Sequence, residues 1–287
     1  MDGSTVPRRW LGRELRRLRE EAGLTRDAVA RELEWSTPRL WRIEKGMVPV
    51  RSVDVRLMCE MYRADGPTTT ALMGLAKETK SKGWYHAYGD TVPAYFELYL
   101  GFESAASRMR LYEPELVHGL LQTKEYARSV FKIGRQDLSP AELDRAVEMR
   151  LQRQRILDRP VGAPQLDVIL NEAVILRADA GQVQHLAKMA GHPAVTIRIL
   201  PFSAGLHRGM MASGSFAILE FPPDAAGRPT EPTTVYCADG LTGALYLDRP
   251  EEIRVYEFIW DGLVSTCLNE RKSKALLRQR AKAKEES

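Results

Sequence analysis

Residues 23–46 read GLTRDAVARELEWSTPRLWRIEKG, and this stretch decides the fold of the first third of the chain. Gly23 stops a preceding helix, since glycine enters the left-handed conformation at little cost. Thr25 is placed to cap the next helix, whose apolar positions Val29, Ala30 and Leu33 share one face. Ala30 is small enough to let two helices approach closely. Ser36 is expected to cap a second helix, Pro38 falls in its first turn, and Lys45-Gly46 ends it. Trp35, Leu40 and Ile43 then close a small core. Helix, tight turn and helix in this order predict a helix-turn-helix, a unit that lays its second helix in the DNA major groove.

Helices on either side complete a domain. Before the unit, Arg8 to Ala22 carries Leu11, Leu15 and Leu18 on one face; after it, Ser52 to Tyr62 carries Leu57, Met58 and Met61. Residues 65–84 read as a turn, one more helix and a polar hinge, giving about five helices in a domain over 1–80. From Leu15 to Pro49 the chain resembles the Xre family of phage-repressor-like regulators, whose pattern is LRxLRExxGLTxxxLAxxLxxSxxxIxRIExGxxxP. Family members usually carry Gly before the position of Trp35. Here it is Glu34, and a left-handed conformation there costs about 1 kcal/mol or more.

On the second helix a step of 100° per residue turns Pro38, Trp41, Arg42 and Lys45 away from Leu40 and Ile43. Thr37 stands at its N-terminal tip. Arg42 suits a bidentate bond to guanine, and Pro38 or Trp41 suits a thymine methyl. Arg26, Lys45, Arg51 and Arg39 are the expected phosphate anchors. Glu44 falls near the core edge, and the resemblance implies an ion pair between it and Arg19.

Charge is unevenly spread. Residues 1–63 hold 14 Lys/Arg against 10 Asp/Glu, and 64–287 hold 28 of each. The tail 271–287 has seven basic and two acidic residues, leaving 21 against 26, or −5, over 64–270. Basic ends around an acidic middle suit a protein that offers one end to a phosphate backbone. Three cysteines (Cys59, Cys237, Cys267) are too few and too separated for a disulfide framework or metal cluster. No N-terminal apolar h-region and no run of 18 apolar residues occurs, so the expectation is a cytoplasmic, nucleoid-associated protein without membrane association.

Beyond a boundary placed at Lys80–Gly83 the texture changes. Pro93 to Tyr112, Thr123 to Phe131 and Pro140 to Asp158 have helical periodicity. Gln165–Leu170, Ala194–Leu200, Ser215–Phe221, Thr233–Ala238 and Gly243–Leu247 are short β-rich runs. A helix at Gln182–Ala190 between the first two runs implies a parallel pair, and loops imply antiparallel pairing for the rest. Pro250 to Leu268 returns to helix, and residues 271–287 form a basic helix or tail. The whole therefore reads as an all-α helix-turn-helix domain followed by an α+β domain over 84–270 with a small mixed sheet.

That second region resembles the C-terminal domain of actinobacterial WhiJ-like and antitoxin-like regulators, encoded beside a small partner protein. The likeness rests on GLLQTKEYAR (119–128), on the helix bearing Arg150, Arg153 and Gln154, on ILNEAVILR (169–177), and on VTIRILPFSAGLHRGMMASGSFAILEF (195–221). That family usually has Pro where His118 stands.

Catalytic patterns are sparse: no GxGxxG after a strand, no phosphate-binding GxxxxGK[ST], no HExxH and no CxxC. Among the histidines, His185 reads as structural, and His207 lies in a glycine-rich loop where a ligand or partner meets a polar group. Glu172 is open to capping the next helix, pairing with Arg150 or Arg153, or touching a ligand. The expectation is a non-enzymatic, sequence-specific regulator binding double-stranded operator DNA as a homodimer, without cofactor or metal. Its C-terminal domain would receive a signal, from a small partner protein or from a ligand near Glu172 and His207. The alternative is a metabolite-binding or enzymatic α+β domain tethered to DNA.

Overall fold

The computed structural model describes residues 5–78, 94–135, 137–212, 214–223, 227, 231–239 and 243–286. The expected boundary at Lys80–Gly83 and His86 lie outside them. The chain forms two compact units: residues 1–87, 100–105 and 222–231 make the first, and 88–99, 106–221 and 232–287 the second.

The first unit is helical, with α1 (Thr5–Glu21), α2 (Arg26–Glu32), α3 (Thr37–Glu44), α4 (Ser52–Met61) and α5 (Gly66–Glu78). Leu11 and Leu15 of α1, Val29 of α2, Leu40 and Ile43 of α3, and Val55, Met58 and Cys59 of α4 are buried in one cluster. Burying each such aliphatic side chain contributes roughly 1.5–3 kcal/mol. Thr25 caps α2 as expected, its hydroxyl accepting from Ala28 N at 3.2 Å. Ser36 occupies the cap position of α3, but its side chain makes no capping bond. The reason is local: Pro38 has no N–H to donate, and Arg39 N is taken by the Ser36 carbonyl at 2.9 Å.

Close contact between α1 and α3 depends on Gly12. A Cβ there would sit 2.5 Å from the Ile43 carbonyl and 2.7 Å from that of Glu44. The missing side chain seats the carboxyl end of α3 directly on α1.

The second unit is a six-stranded mixed sheet with helices. In chain order it contains α6 (Ala94–Ala105), whose last residues belong to the first unit, then β1 (Arg108–Glu113), α7 (Lys124–Gly134) and α8 (Pro140–Gln154). There follow β2 (Gln165–Asn171), α9 (Glu172–Arg177), α10 (Ala180–Met189), β3 (Val195–Leu200), β4 (Phe216–Glu220), β5 (Thr234–Asp239), β6 (Gly243–Leu247), α11 (Pro250–Thr266) and α12 (Glu270–Glu285). Strand order is β3-β2-β1-β4-β5-β6. β2 runs parallel to β3 and to β1, while β1–β4, β4–β5 and β5–β6 are antiparallel.

One expectation fails. Residues 93–112 do not continue as a single helix: α6 ends at Ala105, and 108–113 form β1, an interior strand of the sheet. Arg108-Met109-Arg110-Leu111 alternates polar and apolar, and Met109 and Leu111 are fully buried. The basic end is a packed helix rather than a loose tail. α12 buries Ser273, Leu277 and Ala281, and the Ser273 hydroxyl accepts from Ile199 N at 3.0 Å. That bond occupies part of the exposed edge of β3, which otherwise invites strand pairing.

Candidate nucleic-acid interface

The α3 helix has two unlike sides. Leu40, Ile43 and Glu44 are buried, while Pro38, Trp41, Arg42 and Lys45 are exposed in a row on the opposite face. Trp41 leaves 41% of its surface open, an unusual position for a tryptophan in a domain with a filled core. Arg42 and Lys45 make no side-chain hydrogen bond or ion pair with any described residue. Thr37, at the helix tip, donates to Asp27 Oδ1 at 2.7 Å and ties α3 to α2.

Behind this face is an ionic lock. Glu44 accepts from Arg19 Nε at 2.5 Å and Arg19 Nη2 at 3.2 Å, a bidentate grip on a carboxylate that is 3% exposed. Arg19 also donates to the Leu24 carbonyl at 2.8 Å, binding the turn before α2. Arg26 shares the same carboxylate, Nε to Oε2 at 2.7 Å. Arg19 Nη2 also reaches the Glu20 carboxylate at 3.3 Å, and the Arg26 side chain is 34% exposed.

A second cluster repeats the arrangement. Arg51 donates to both Asp54 oxygens, at 3.0 and 2.8 Å, and Arg39 reaches Asp54 at 3.4 Å while stacking 3.9 Å over the Trp35 ring. Of the expected phosphate anchors, Lys45 alone has no carboxylate partner among the described residues; Arg26, Arg39 and Arg51 are oriented by acids. The i,i+3 spacing of Arg51 and Asp54 was readable in the sequence. The Thr37–Asp27 tie and the Arg26–Glu44 bond had no sequence signal, because they join separate helices.

The turn itself is strained as its sequence implies. Glu34 has φ +54° and Gly23 and Gly46 have φ +69° and +65°. The two glycines accept this freely, and Glu34 does not.

In the second unit Glu172 and His207 have different partners. Glu172 opens α9, but Asn171 caps that helix, its side chain accepting from Ala173 N at 2.9 Å. The Glu172 carboxylate instead accepts from Phe202 N at 3.0 Å and from Arg280 of α12 at 3.2 Å, so neither Arg150 nor Arg153 is its partner. His207 meets the Tyr112 ring edge-on, with centroids 6.3 Å apart, and burial lowers its pKa so that it is neutral at pH 7. Among the described residues no hydrogen bond joins Glu172 to His207.

Two families match the chain. Residues 10–72 match the family described as Helix-turn-helix domain. Residues 96–279 match a family described as Domain of unknown function (DUF5753). No curated protein and no solved structure matches the chain. Among the described residues no helix is long and apolar enough to cross a membrane. Because the second match spans more than half of its length, the chain belongs to the DUF5753 family, carried behind a helix-turn-helix domain.

Proposed function

We propose that this chain is a sequence-specific, DNA-binding transcriptional regulator of the Xre, phage-repressor-like type, and that it is not an enzyme. The observation that carries the reading is the open row of Pro38, Trp41, Arg42 and Lys45 on a helix held from behind by the Arg19–Glu44 pair. A rigid helix presenting two cations and an aromatic side chain to solvent has the chemistry of major-groove readout. Arg26, Arg39 and Arg51, each paired with Glu44 or Asp54, are the candidates for contact with the phosphate backbone.

One such domain reads few base pairs, so the regulator works as a homodimer on a roughly palindromic operator. Support for a dimer surface in the second unit comes from α11 and the segment before β4. Phe258 and Val255 are 58% and 56% exposed, and Met210 and Met211 are 51% and 75% exposed. Arg208 lies 3.7 Å over the Phe258 ring and donates to its carbonyl, joining segment and helix into one apolar face. The second unit also receives a signal, from a small partner protein encoded nearby or from a small ligand.

Selection of bound fragments from a random DNA pool, followed by quantitative binding, tests the reading. A defined operator should emerge. Arg42→Ala should cost about 1–3 kcal/mol and relax preference at one base position. Failure to enrich any sequence, with wild type and Arg42→Ala binding all DNA alike, sinks sequence-specific recognition.

A further inference from the structure

Glu113 ends β1, the strand at which the sheet reverses its direction of growth: β2 follows on one side, and β4 is added later on the other. The crevice beyond the carboxyl end of such a strand is where open α/β sheets hold ligands. Here a cavity of about 390 Å³ lies at that end, within the size range of small-molecule sites. At about 30 Å³ per water, it has room for about a dozen non-hydrogen atoms.

One side of the cavity is aromatic. Phe96 and Tyr99 come from α6, Phe216 from β4 and Tyr236 from β5. Tyr99 lies 4.3 Å from Tyr236 and 5.3 Å from Phe96, centroid to centroid, so the rings brace one another.

Two arginines complete the lining. Arg150 and Arg153 reach in from α8. The Arg153 guanidinium stands 5.3 Å from both the Phe96 and Tyr99 rings, and the residue is 5% exposed. Arg150 donates to Gln122 Oε1 at 2.5 Å. Both guanidinium groups converge on Gly119, where a Cβ would stand 2.8 Å from Arg153 Nη1 and 3.1 Å from Arg150 Nη1.

The loop carrying Gly119 is fixed. Gln154 donates to the Gly119 and Gln122 carbonyls at 2.9 and 2.7 Å, and the fully buried Gln182 donates to the Leu121 carbonyl at 2.8 Å. His118 Nδ1 accepts from Leu120 N at 3.3 Å, which leaves its proton on Nε2, 3.1 Å from the Tyr99 hydroxyl. Burial, then Arg153 and Arg150, keep this histidine neutral.

That leaves Glu113, whose side chain makes no hydrogen bond or ion pair with any described residue although it lines the cavity. Burial pushes its carboxyl up to about 8, against the pull of Arg153 and Arg150. At neutral pH it carries a proton to donate. Arg150 and Arg153 are the basic groups of the described lining.

We infer that this cavity is an effector site for a small organic carboxylate with an aromatic body. Its carboxylate is bound by Arg150 and Arg153 and accepts from Glu113, and its ring packs against Phe96, Tyr99 and Tyr236. Guanidinium forks match carboxylate geometry, and the braced rings supply a flat apolar wall. The inference deepens the signal-receiving half of the proposed function and rests on that reading only for its consequence at DNA.

Isothermal titration of the full chain without DNA tests it, with phenylacetate and indole-3-acetate as probes and phenylacetamide and phenethylamine as controls. The carboxylates should bind with Kd below about 1 mM, or beyond −4 kcal/mol, and the controls at least about tenfold more weakly. Gly119→Ala displaces flexible arginine tips rather than backbone, so it should fold and weaken the carboxylates about tenfold. Val130→Trp, which fills the cavity from a half-buried lining position, should abolish binding at an unchanged melting temperature. Equal binding of phenylacetate and its amide, preference for the amine, no binding by any probe, or binding indifferent to both variants each overturns the inference. With DNA absent, such a failure leaves the operator reading standing. A chain that binds probe but enriches no operator would sink only the latter.

Discussion

At the scale of single residues, two positions are held in states their chemistry resists. Glu34 sits at φ +54° in the turn between α2 and α3, where an L side chain is strained by roughly 1–2 kcal/mol. Glycine removes the strain but loosens the unfolded chain. Glu34→Gly should therefore stabilise the first unit by a net of about 0.5–1 kcal/mol in urea denaturation. A loss of stability would show that the Glu34 side chain contributes more than its backbone costs. Glu113 is the other case. With its pKa raised by burial to about 8, the folded protein keeps a proton that the unfolded chain releases near its ordinary value. Stability attached to this group is thus full below that ordinary value and falls as pH rises towards about 8, above which both states are ionised. Glutamine has the same shape without the titration. Glu113→Gln should gain about 2–4 kcal/mol on wild type between pH 5 and pH 8, given about 1.4 kcal/mol per pKa unit. Parallel stability–pH curves for the two proteins would mean that Glu113 is ionised in the folded state.

At the scale of elements, legibility followed sequence distance. Helices α1 to α4 were readable because their start signals, stop signals and apolar periods are all local. Thr25, Gly23 and Gly46 announce their own backbone geometry. The parallel β2–β3 pair was readable too, since a helix between two apolar runs admits few topologies. Strand β1 was missed although Arg108 to Leu111 alternates, because it follows α6 after two residues and six residues give period 2 little weight against a preceding helical run. The cavity was missed for a different reason. Phe96, Glu113, Gly119, Arg153 and Tyr236 lie on five separate segments, and no local pattern joins them. Gly12 shows the same limit within the helical unit. It reads as a poor helix former in α1, whereas in the structure it is the seat of α3. Gly12→Ala improves helix propensity by about 1 kcal/mol, but places a methyl 2.5 Å from the Ile43 carbonyl. The clash is with backbone and cannot be relieved by a rotamer. We expect a net loss of about 1–3 kcal/mol and a shifted α3, seen as displaced amide resonances for residues 40–46. A stabilised protein with an unmoved spectrum would refute the seating.

At the scale of the whole molecule, the question is how a modest reading surface becomes selective. Arg26, Arg39 and Arg51 each spend part of their charge on Glu44 or Asp54, leaving Arg42 and Lys45 as the exposed cations of α3 without a carboxylate partner among the described residues. Two copies bound together double the phosphate and base contacts without paying the entropy of association twice. On the proposed homodimer, the apolar face of α11 is the place to break the pair. Phe258 is more than half exposed, so replacing it should leave the fold of a single chain intact, and Arg208 beside it can pair with a new carboxylate. In a symmetric interface the substituted residue falls near its own mate or a shared apolar surface, so a buried charge costs several kcal/mol per dimer. Phe258→Glu should thus shift micromolar protein from dimer to monomer in sedimentation velocity. Its melting temperature as a monomer should be little changed, and operator affinity should drop at least about tenfold while affinity for unrelated DNA holds. If wild type is monomeric with and without operator, or if Phe258→Glu remains dimeric, the α11 face is not the contact that makes recognition cooperative.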